Sequence, residues 1–135
     1  MKIAVCNRNT EKRYKNKEMS WEDIKERNRH PIRTSETVEE YPKLPKAQRD
    51  IAKDQGGFVG GWLRGGNRKK GHVISRECGA LDADHIPEGE DFIGKAVSVL
   101  AGVRFFLYST HSHTPQHQRY RLVMPFSREV SEEEY

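Results

Sequence analysis

The chain has 135 residues, a net charge of +4 and an apolar fraction of 34%. This length is enough for about one domain with a single modest core. No apolar run reaches the roughly 18 residues of a membrane span. The apolar segment in the start MKIAVCNRN is too short for a secretory signal. Two widely spaced cysteines suggest no disulfide framework, so we expect an intracellular, reducing compartment and no membrane partner.

Charge is distributed unevenly along the sequence. Residues 1–70 contain 18 Lys and Arg against 10 Asp and Glu, a net of +8, whereas residues 71–135 contain 6 against 10, a net of −4. A basic half and an acidic half with clustered carboxylates favour a polyanion-binding surface next to a metal site. Two ordinary solvated surfaces are the alternative.

The first part of the chain predicts one strand and three helices. Ser20 can cap the first helix, because Asp23 follows three residues later in the pattern of a capping box. Prolines and glycines set the predicted ends. The strand is expected at residues 2–6, and the helices begin after Ser20, after Thr34 or Ser35 and after Pro45, and end before Pro31, near Tyr41 and at Gly56.

A glycine-rich basic segment follows, GGFVGGWLRGGNRKKG (residues 56–71), with seven glycines and four basic residues. Such a loop or hairpin lets the backbone approach a phosphate closely, although the spacing of a P-loop is absent. A flexible surface hairpin is the alternative, and Phe58 and Trp62 are either core anchors or base-stacking platforms. The predicted nucleic-acid contacts are Arg64, Arg68, Lys69 and Lys70.

From residue 72 the hydrophobic pattern becomes regular. HVISRECGALDADH reads as a strand, GEDFIGKAVSVLAG as a helix, VRFFLYST and RYRLVMPF as strands, and SEEEY as the first turn of another helix. This β-α-β-β order is the first two-thirds of a ferredoxin-like or RRM-like split sandwich. We predict an α+β fold with one domain over residues 1–135, in which a helical, basic part (1–70) precedes an incomplete RRM-like core (71–135).

Two aspartates at the end of the first core strand form a candidate metal site. Asp82 and Asp84 in ALDADH are two residues apart, so on a strand their carboxylates point to one face. Such carboxylates repel each other unless a cation lies between them, which favours Mg²⁺ or Mn²⁺. A solvated strand end is the alternative.

The segment YSTHSHTPQHQRYRLVMP (residues 108–125) is expected near the same end of the sheet. His111 and His113 can ligate a transition metal when neutral or hold a phosphate when protonated. Arg119 and Arg121 project from one face of the last strand, and guanidinium groups match phosphate geometry. Carboxylates for metal with histidine and arginine for a triphosphate suit phosphoryl transfer. A polar hairpin is the alternative.

The stretch from about Ser20 to Tyr135 resembles the phage and plasmid replication branch of the archaeo-eukaryotic primase superfamily. The resemblance rests on SWEDIKERN, KDQGGFVGGWLRGGNR, ALDADH, YSTHSHTP, RYRLVMPFSREVS and the terminal EEY. It implies a primase-polymerase core on an RRM-like sheet. In that family the first motif binds the catalytic metal, which corresponds to Asp82 and Asp84, and a small-x-His motif contacts the nucleotide phosphates. His111 matches that motif best in spacing, with His113 or Arg121 as alternatives.

The family's third motif, an aspartate on a later strand, has no counterpart before Tyr135. The resemblance therefore implies a nucleotidyltransferase only if that carboxylate is supplied, and low or no activity for these residues alone. The implied partners are a nucleoside triphosphate, single-stranded DNA or RNA template, and a helicase domain or host protein. The implied location is the cytoplasm of a bacterial or phage-infected cell.

Two other functions are compatible with the sequence. One is a non-enzymatic phage protein derived from a primase fold, which binds nucleic acid or a host protein, for example as an inhibitor of host defence. The other is a rolling-circle nuclease of the His-hydrophobic-His type. His111-Ser112-His113 departs from that pattern at its central residue, and Tyr135 is the only late candidate for the catalytic tyrosine on a following helix.

Overall fold

The fold is that of a computed structural model, which describes every residue from Met1 to Tyr135. It is a mixed α+β fold with antiparallel strand pairs, as the sequence predicts. The helices are Trp21–Arg29 (α1), Lys46–Lys53 (α2) and Phe92–Val99 (α3). The strands are Lys2–Cys6 (β1), Lys15–Glu18 (β2), Gly57–Val59 (β3), Gly61–Leu63 (β4), Val73–Ala83 (β5), Phe106–Ser109 (β6) and Tyr120–Val130 (β7).

The first sheet has the strand order β2-β1-β3, and β1 is its central strand. The apolar run of β1 is buried from Ile3 to Cys6, which confirms the strand predicted at residues 2–6. β2 is an exposed edge strand of sequence KNKE that the sequence analysis misses. Its lysines explain both its exposure and its lack of an apolar signal, since charged edge strands discourage pairing with other chains.

The second sheet has the strand order β4-β5-β7-β6. β4 pairs antiparallel with β5, and β6 pairs antiparallel with β7 through Leu107 and Leu122. Gly60 separates β3 from β4, so the predicted glycine-rich hairpin is in fact two short strands in different sheets. At Gly61 a Cβ would lie 1.8 Å from the carbonyl oxygen of Ser75, so only glycine permits this close approach to β5.

The prediction for the N-terminal part is correct for two helices and wrong for the third. α1 begins with the predicted capping box, in which Ser20 and Asp23 bond reciprocally, and α2 follows Pro45. The helix predicted after Thr34 is absent; the chain forms only a short 3₁₀ turn at Tyr41–Lys43. Pro42 lies in the first turn of this segment, where its missing amide hydrogen is tolerated. The mainly helical description of residues 1–70 is also wrong, since four strands lie there.

The chain forms two compact units. One comprises Met1–Cys78 with Phe126–Tyr135, and the other comprises Gly79–Pro125. The first unit contains a hydrophobic cluster of Ala4, Cys6, Tyr14 and Leu63. In the second unit Leu122 and Val123 are buried. The assignment of residues 1–135 to a single domain stays a prediction.

Both cysteines are buried free thiols. The sulfur of Cys6 lies 3.6 Å from the carbonyl oxygen of Gly57. Burial raises the pKa of the Cys78 thiol to about 11. The Cys78 thiol is therefore expected to react slowly at neutral pH, because the thiolate is the nucleophilic form. Burial shields Cys6 from reagents in the folded protein. No helix here has the length and apolarity needed to cross a lipid bilayer.

A first prediction concerns Ile24 of α1. The side chain of Ile24 is fully buried, whereas the side chain of Ile51 on α2 is 70% exposed. Ile24→Ala is expected to lower the free energy of unfolding by about 2–4 kcal/mol through lost burial and a residual cavity. The matched change Ile51→Ala is expected to stay within about 0.5 kcal/mol. Urea unfolding followed by circular dichroism measures both, and equal effects would contradict the assignment of Ile24 to the core.

Candidate nucleotide and metal site

A hairpin made of two consecutive turns connects β6 to β7. The amide of His113 donates to the Thr110 carbonyl at 3.0 Å, and the amide of His117 donates to the Thr114 carbonyl at 3.2 Å. Pro115 occupies the second position of the latter turn, where its fixed φ is favourable. The amide of Thr110 also donates to the carbonyl of Arg119 at 3.1 Å. These bonds place the start of β7 directly beside the end of β6.

Two carboxylate–arginine pairs lie at this end of β5 and β7. The guanidinium of Arg121 binds both oxygens of Asp82, with Nε–Oδ1 at 2.6 Å and Nη2–Oδ2 at 3.0 Å. Arg119 Nη1 lies 3.8 Å from Asp84 Oδ1. The structure thus brings together the four residues that the sequence predicts for the site, although Asp82 and Arg121 are 39 residues apart in sequence. The expectation that the two motifs lie close together is confirmed.

Each partner of the stronger pair shifts the pKa of the other. The hydrogen bond from Arg121 lowers the pKa of Asp82, against a smaller opposing effect of burial. The same hydrogen bond raises the pKa of Arg121 further above its usual range. Both side chains are 40–49% exposed, so the pair is a half-exposed ion pair that remains accessible to a competing ligand. Pairs of this exposure contribute only about 0.2–1 kcal/mol to stability.

The two histidines of the hairpin differ in their surroundings. The Nδ1 atom of His113 accepts a hydrogen bond from the backbone amide of Arg119 at 3.0 Å, and its ring packs against Tyr120 with centroids 4.9 Å apart. His113 therefore holds the hairpin in place, and only Nε2 remains for another partner. His111 is exposed. Of the two histidines, His113 is thus the one that contributes to the structure of the hairpin.

The strand register reveals one residue that the sequence analysis misses. Tyr108 of β6 lies directly opposite Arg121 of β7, so the two share a face of the sheet. The Tyr108 hydroxyl adds to the raised pKa of Arg121 through a side-chain hydrogen bond. Tyr108 also stacks with Phe106, with centroids 6.1 Å apart. The sequence VRFFLYST places Tyr108 on a predicted strand, but only the strand register shows that Tyr108 lies opposite Arg121.

The two predicted metal ligands, Asp82 and Asp84, belong to no larger group of metal-ligating side chains. No group of three or more His, Cys, Asp or Glu side chains is positioned to hold a metal. Both oxygens of Asp82 already accept from Arg121. Mg²⁺, however, is commonly held by only one or two carboxylates together with substrate phosphates, rather than by a cage of protein ligands. Asp82 and Asp84 supply such a pair of oxygen donors.

Comparison with known protein families assigns the chain. A family model described as the VapE N-terminal domain matches residues 1–135. The chain belongs to this family. Membership links the chain to phage- and plasmid-associated proteins and supports a part in replication. Neither the curated proteins nor the solved structures contain a significant match.

In this VapE N-terminal domain the predicted nucleic-acid contacts lie in the first compact unit. They are exposed side chains on the loop that follows β4, namely Arg64, Arg68, Lys69 and Lys70. Trp62 donates from Nε1 to the carbonyl of Lys17 at 3.1 Å, and Lys2 lies over its ring. Trp62 is therefore an anchor between strands rather than an open stacking platform.

Tyr135 of the VapE N-terminal domain is positioned by two aromatic contacts in the same unit. Its ring lies 6.0 Å from that of Phe126, and the guanidinium of Arg76 lies 4.1 Å from its centroid. The helix predicted at SEEEY is absent, although Ser131 and Glu134 make the reciprocal bonds of a capping box. A rolling-circle nuclease would need its tyrosine on a following helix.

A second prediction tests the role of His113. His113→Ala removes the acceptor for the Arg119 amide and the contact with Tyr120, so we expect a loss of about 1–3 kcal/mol in the free energy of unfolding. The control is His117→Ala, in the same hairpin, because the His117 side chain is exposed. Thermal unfolding of both variants measures the difference. A His117→Ala variant as unstable as His113→Ala would contradict the structural role of His113.

Proposed function

We propose that this VapE N-terminal domain binds a nucleoside triphosphate together with Mg²⁺ or Mn²⁺, as the nucleotide site of a primase-type replication protein. The observation that carries the proposal is the pairing of Asp82 with Arg121 and of Asp84 with Arg119 at one end of the sheet. Family membership supports the replication setting. In this site the carboxylates hold the metal, and the arginines and His111 bind phosphate oxygens.

The charges of the four side chains explain how ligands would enter. Two carboxylates and two guanidinium groups neutralise each other when the site is free. A metal ion alone is attracted by the two aspartates but repelled by the two arginines. A triphosphate alone is attracted by the arginines but repelled by the aspartates. A metal–nucleotide complex offers both signs at once and replaces both ion pairs. Metal and nucleotide are therefore proposed to bind cooperatively, with the arginines exchanging carboxylate for phosphate.

The arrangement of the second sheet supports an RRM-like core. β5, α3 and β6 follow one another in the chain, and β7 lies between β5 and β6. This is the arrangement of a split β-α-β unit. The edge beside β5, where a later strand would complete such a sheet, is occupied by β4. We propose that the chain builds an RRM-like sheet with an earlier strand in the closing position.

The chemistry assigned to these residues is positioning and charge neutralisation. When bound, the metal would neutralise charge that develops on the transferred phosphoryl group. Arg119 and Arg121 orient the phosphates, since guanidinium groups donate in a fixed planar geometry. Two-metal nucleotidyl transfer ordinarily uses a further carboxylate. The proposal therefore concerns binding first, and synthesis by residues 1–135 alone is proposed to be weak or absent.

Linked binding measurements test this proposal. Nucleotide affinity is measured by isothermal titration calorimetry with and without Mn²⁺, and Mn²⁺ affinity by electron paramagnetic resonance with and without nucleotide. Each ligand is expected to strengthen the other by about 5–150-fold, and by the same factor in both directions because the coupling is reciprocal. No nucleotide binding at millimolar concentration in the presence of Mn²⁺ would overturn the proposal.

A second candidate function is a non-enzymatic phage protein that binds a host protein. The observation that favours it is the apolar surface of α3, on which Ile93 is 44% exposed, Val97 56% and Val99 81%. Exposed apolar patches are frequent at protein interfaces. This function predicts that the wild type binds one host protein stoichiometrically and that the Ile93→Asp/Val97→Asp double variant does not. It also predicts that neither the wild type nor the double variant binds nucleotide.

A further inference from the structure

Two loops of the first compact unit lie side by side. The β1–β2 loop comprises residues 7–14, and the basic loop after β4 comprises residues 64–71. The amide of Tyr14 donates to the carbonyl of Gly66 at 2.8 Å. Arg68 Nη1 donates to the Tyr14 hydroxyl at 3.2 Å, and the Arg68 guanidinium lies 5.9 Å from the ring centroid.

The junction between the loops is tightly packed. Tyr14 is 5% exposed. At Gly66 the φ angle is +72°, and a Cβ would lie 2.4 Å from the Tyr14 carbonyl oxygen. Asn16 adds a second connection, since its side-chain amide exchanges two hydrogen bonds with the backbone of Leu63 at 2.9 and 3.0 Å. The loops are therefore held as one surface.

The surface carries a large excess of unpaired positive charge. Its seven cations are all exposed, and none makes an ion pair. Three carboxylates lie on or against the loops, Glu11, Asp54 and Glu132, and they bond to backbone amides. The seven cations are Arg8, Lys12, Arg13, Arg64, Arg68, Lys69 and Lys70.

The basic side chains of α2 show the contrast. Lys46 and Lys53 both bind the carboxylate of Asp50, each at 2.6 Å. A fold under no other constraint reduces repulsion by such pairing or by dispersing its charges. Unpaired cations gathered on two connected loops create a local positive potential that attracts anions.

We infer that the two loops form one surface that binds the phosphate backbone of a single-stranded nucleic acid. The choice of a single-stranded ligand rests on the proposed function, in which the domain binds a replication template. Four of the seven cations are arginines, which suit phosphate geometry. The exposed loop residues include no apolar or aromatic side chain, because Tyr14 is buried. Protein partners usually require such an anchor, whereas a phosphate backbone does not.

Paired charge variants test this inference by fluorescence anisotropy with a labelled 20-nucleotide oligo-dT. Lys12→Gln/Arg13→Gln alters the first loop, and Lys69→Gln/Lys70→Gln alters the second. Each is expected to weaken binding about tenfold and to reduce the slope of log affinity against log salt by about 1.4, since each lost phosphate contact on a single strand contributes about 0.7. The control Lys46→Gln/Lys53→Gln removes the same charge from α2 and is expected to change affinity less than twofold.

Three outcomes would overturn the inference. Equal losses in all three variants would show that net charge alone acts, and an effect confined to the second loop would show that the β1–β2 loop is not part of the surface. Tighter binding of a duplex of the same length would reject a single-stranded ligand. Asp82→Asn separates the two proposals, because it is expected to weaken Mn²⁺-dependent nucleotide binding by about 100-fold while leaving oligo-dT binding unchanged.

Discussion

Asp82→Asn is expected to reduce Mn²⁺-dependent nucleotide binding by about 100-fold, because it removes the charge of one of the two carboxylates proposed to bind the metal. The asparagine keeps the shape of the side chain and can still accept a hydrogen bond from Arg121, so the fold should be preserved. Calorimetry with nucleotide at fixed Mn²⁺ measures the loss. Primer synthesis on single-stranded DNA, if the wild type shows any, is expected to fall by at least the same factor.

The matched control for this change is Glu88→Gln. Glu88 is exposed, lies six residues beyond Asp82 and makes no ion pair. The Glu88→Gln change removes the same charge from the same region. Nucleotide affinity is expected to stay within twofold of the wild type, as surface substitutions usually have small effects. Unchanged metal-dependent synthesis or nucleotide binding in Asp82→Asn would contradict the assignment of Asp82 as a metal ligand.

Arg121→Gln is expected to change the two affinities in opposite directions. Nucleotide affinity should fall by about 10–100-fold, because a charge-assisted contact to phosphate contributes about 1.5–3 kcal/mol. The affinity for Mn²⁺ alone should rise by about tenfold, because Asp82 then lacks its competing cation. A residue with a purely structural role would weaken both. Arg104→Gln is the control, since Arg104 is exposed and makes no ion pair.

The same variant has a defined pH signature. Arg121 lowers the pKa of Asp82, so the pair contributes stability above the unfolded pKa of aspartate and loses that contribution as the pH falls through the lower, folded value. Without Arg121 the folded pKa should return toward the ordinary value of about 3.9. Carboxyl-detected NMR titration measures the midpoint. An unchanged midpoint in Arg121→Gln would contradict the ion pair.

The elements that could be predicted from the sequence carry strong local signals. The capping box at Ser20, the apolar run of α3 and the alternation of β7 each specify an element within a few residues, and the structure confirms them. β2 could not be predicted in this way, because its four exposed residues have neither apolar alternation nor strand propensity. Its existence depends on pairing with β1, a contact between distant parts of the sequence.

The candidate site shows the same division. The types of residue and their spacing identify Asp82, Asp84, Arg119 and Arg121, and the prediction that both motifs lie together is confirmed. The sequence does not show that each carboxylate faces one arginine, because that depends on strand register. It also leaves the two histidines equivalent, whereas the backbone bond to Arg119 commits His113 to the hairpin. Register and backbone hydrogen bonds are set by tertiary structure.

The two buried thiols have a practical consequence for spectroscopy. Cys6 is 3% and Cys78 1% exposed, so a maleimide or nitroxide reagent at neutral pH should modify neither while the protein is folded. A cysteine introduced at Ser112 in the turn, or at Asn67 in the basic loop, would then be the single reactive position without removal of either native residue. A probe at Ser112 would report on the proposed nucleotide binding, and a probe at Asn67 on the proposed oligonucleotide binding, each in an otherwise native chain.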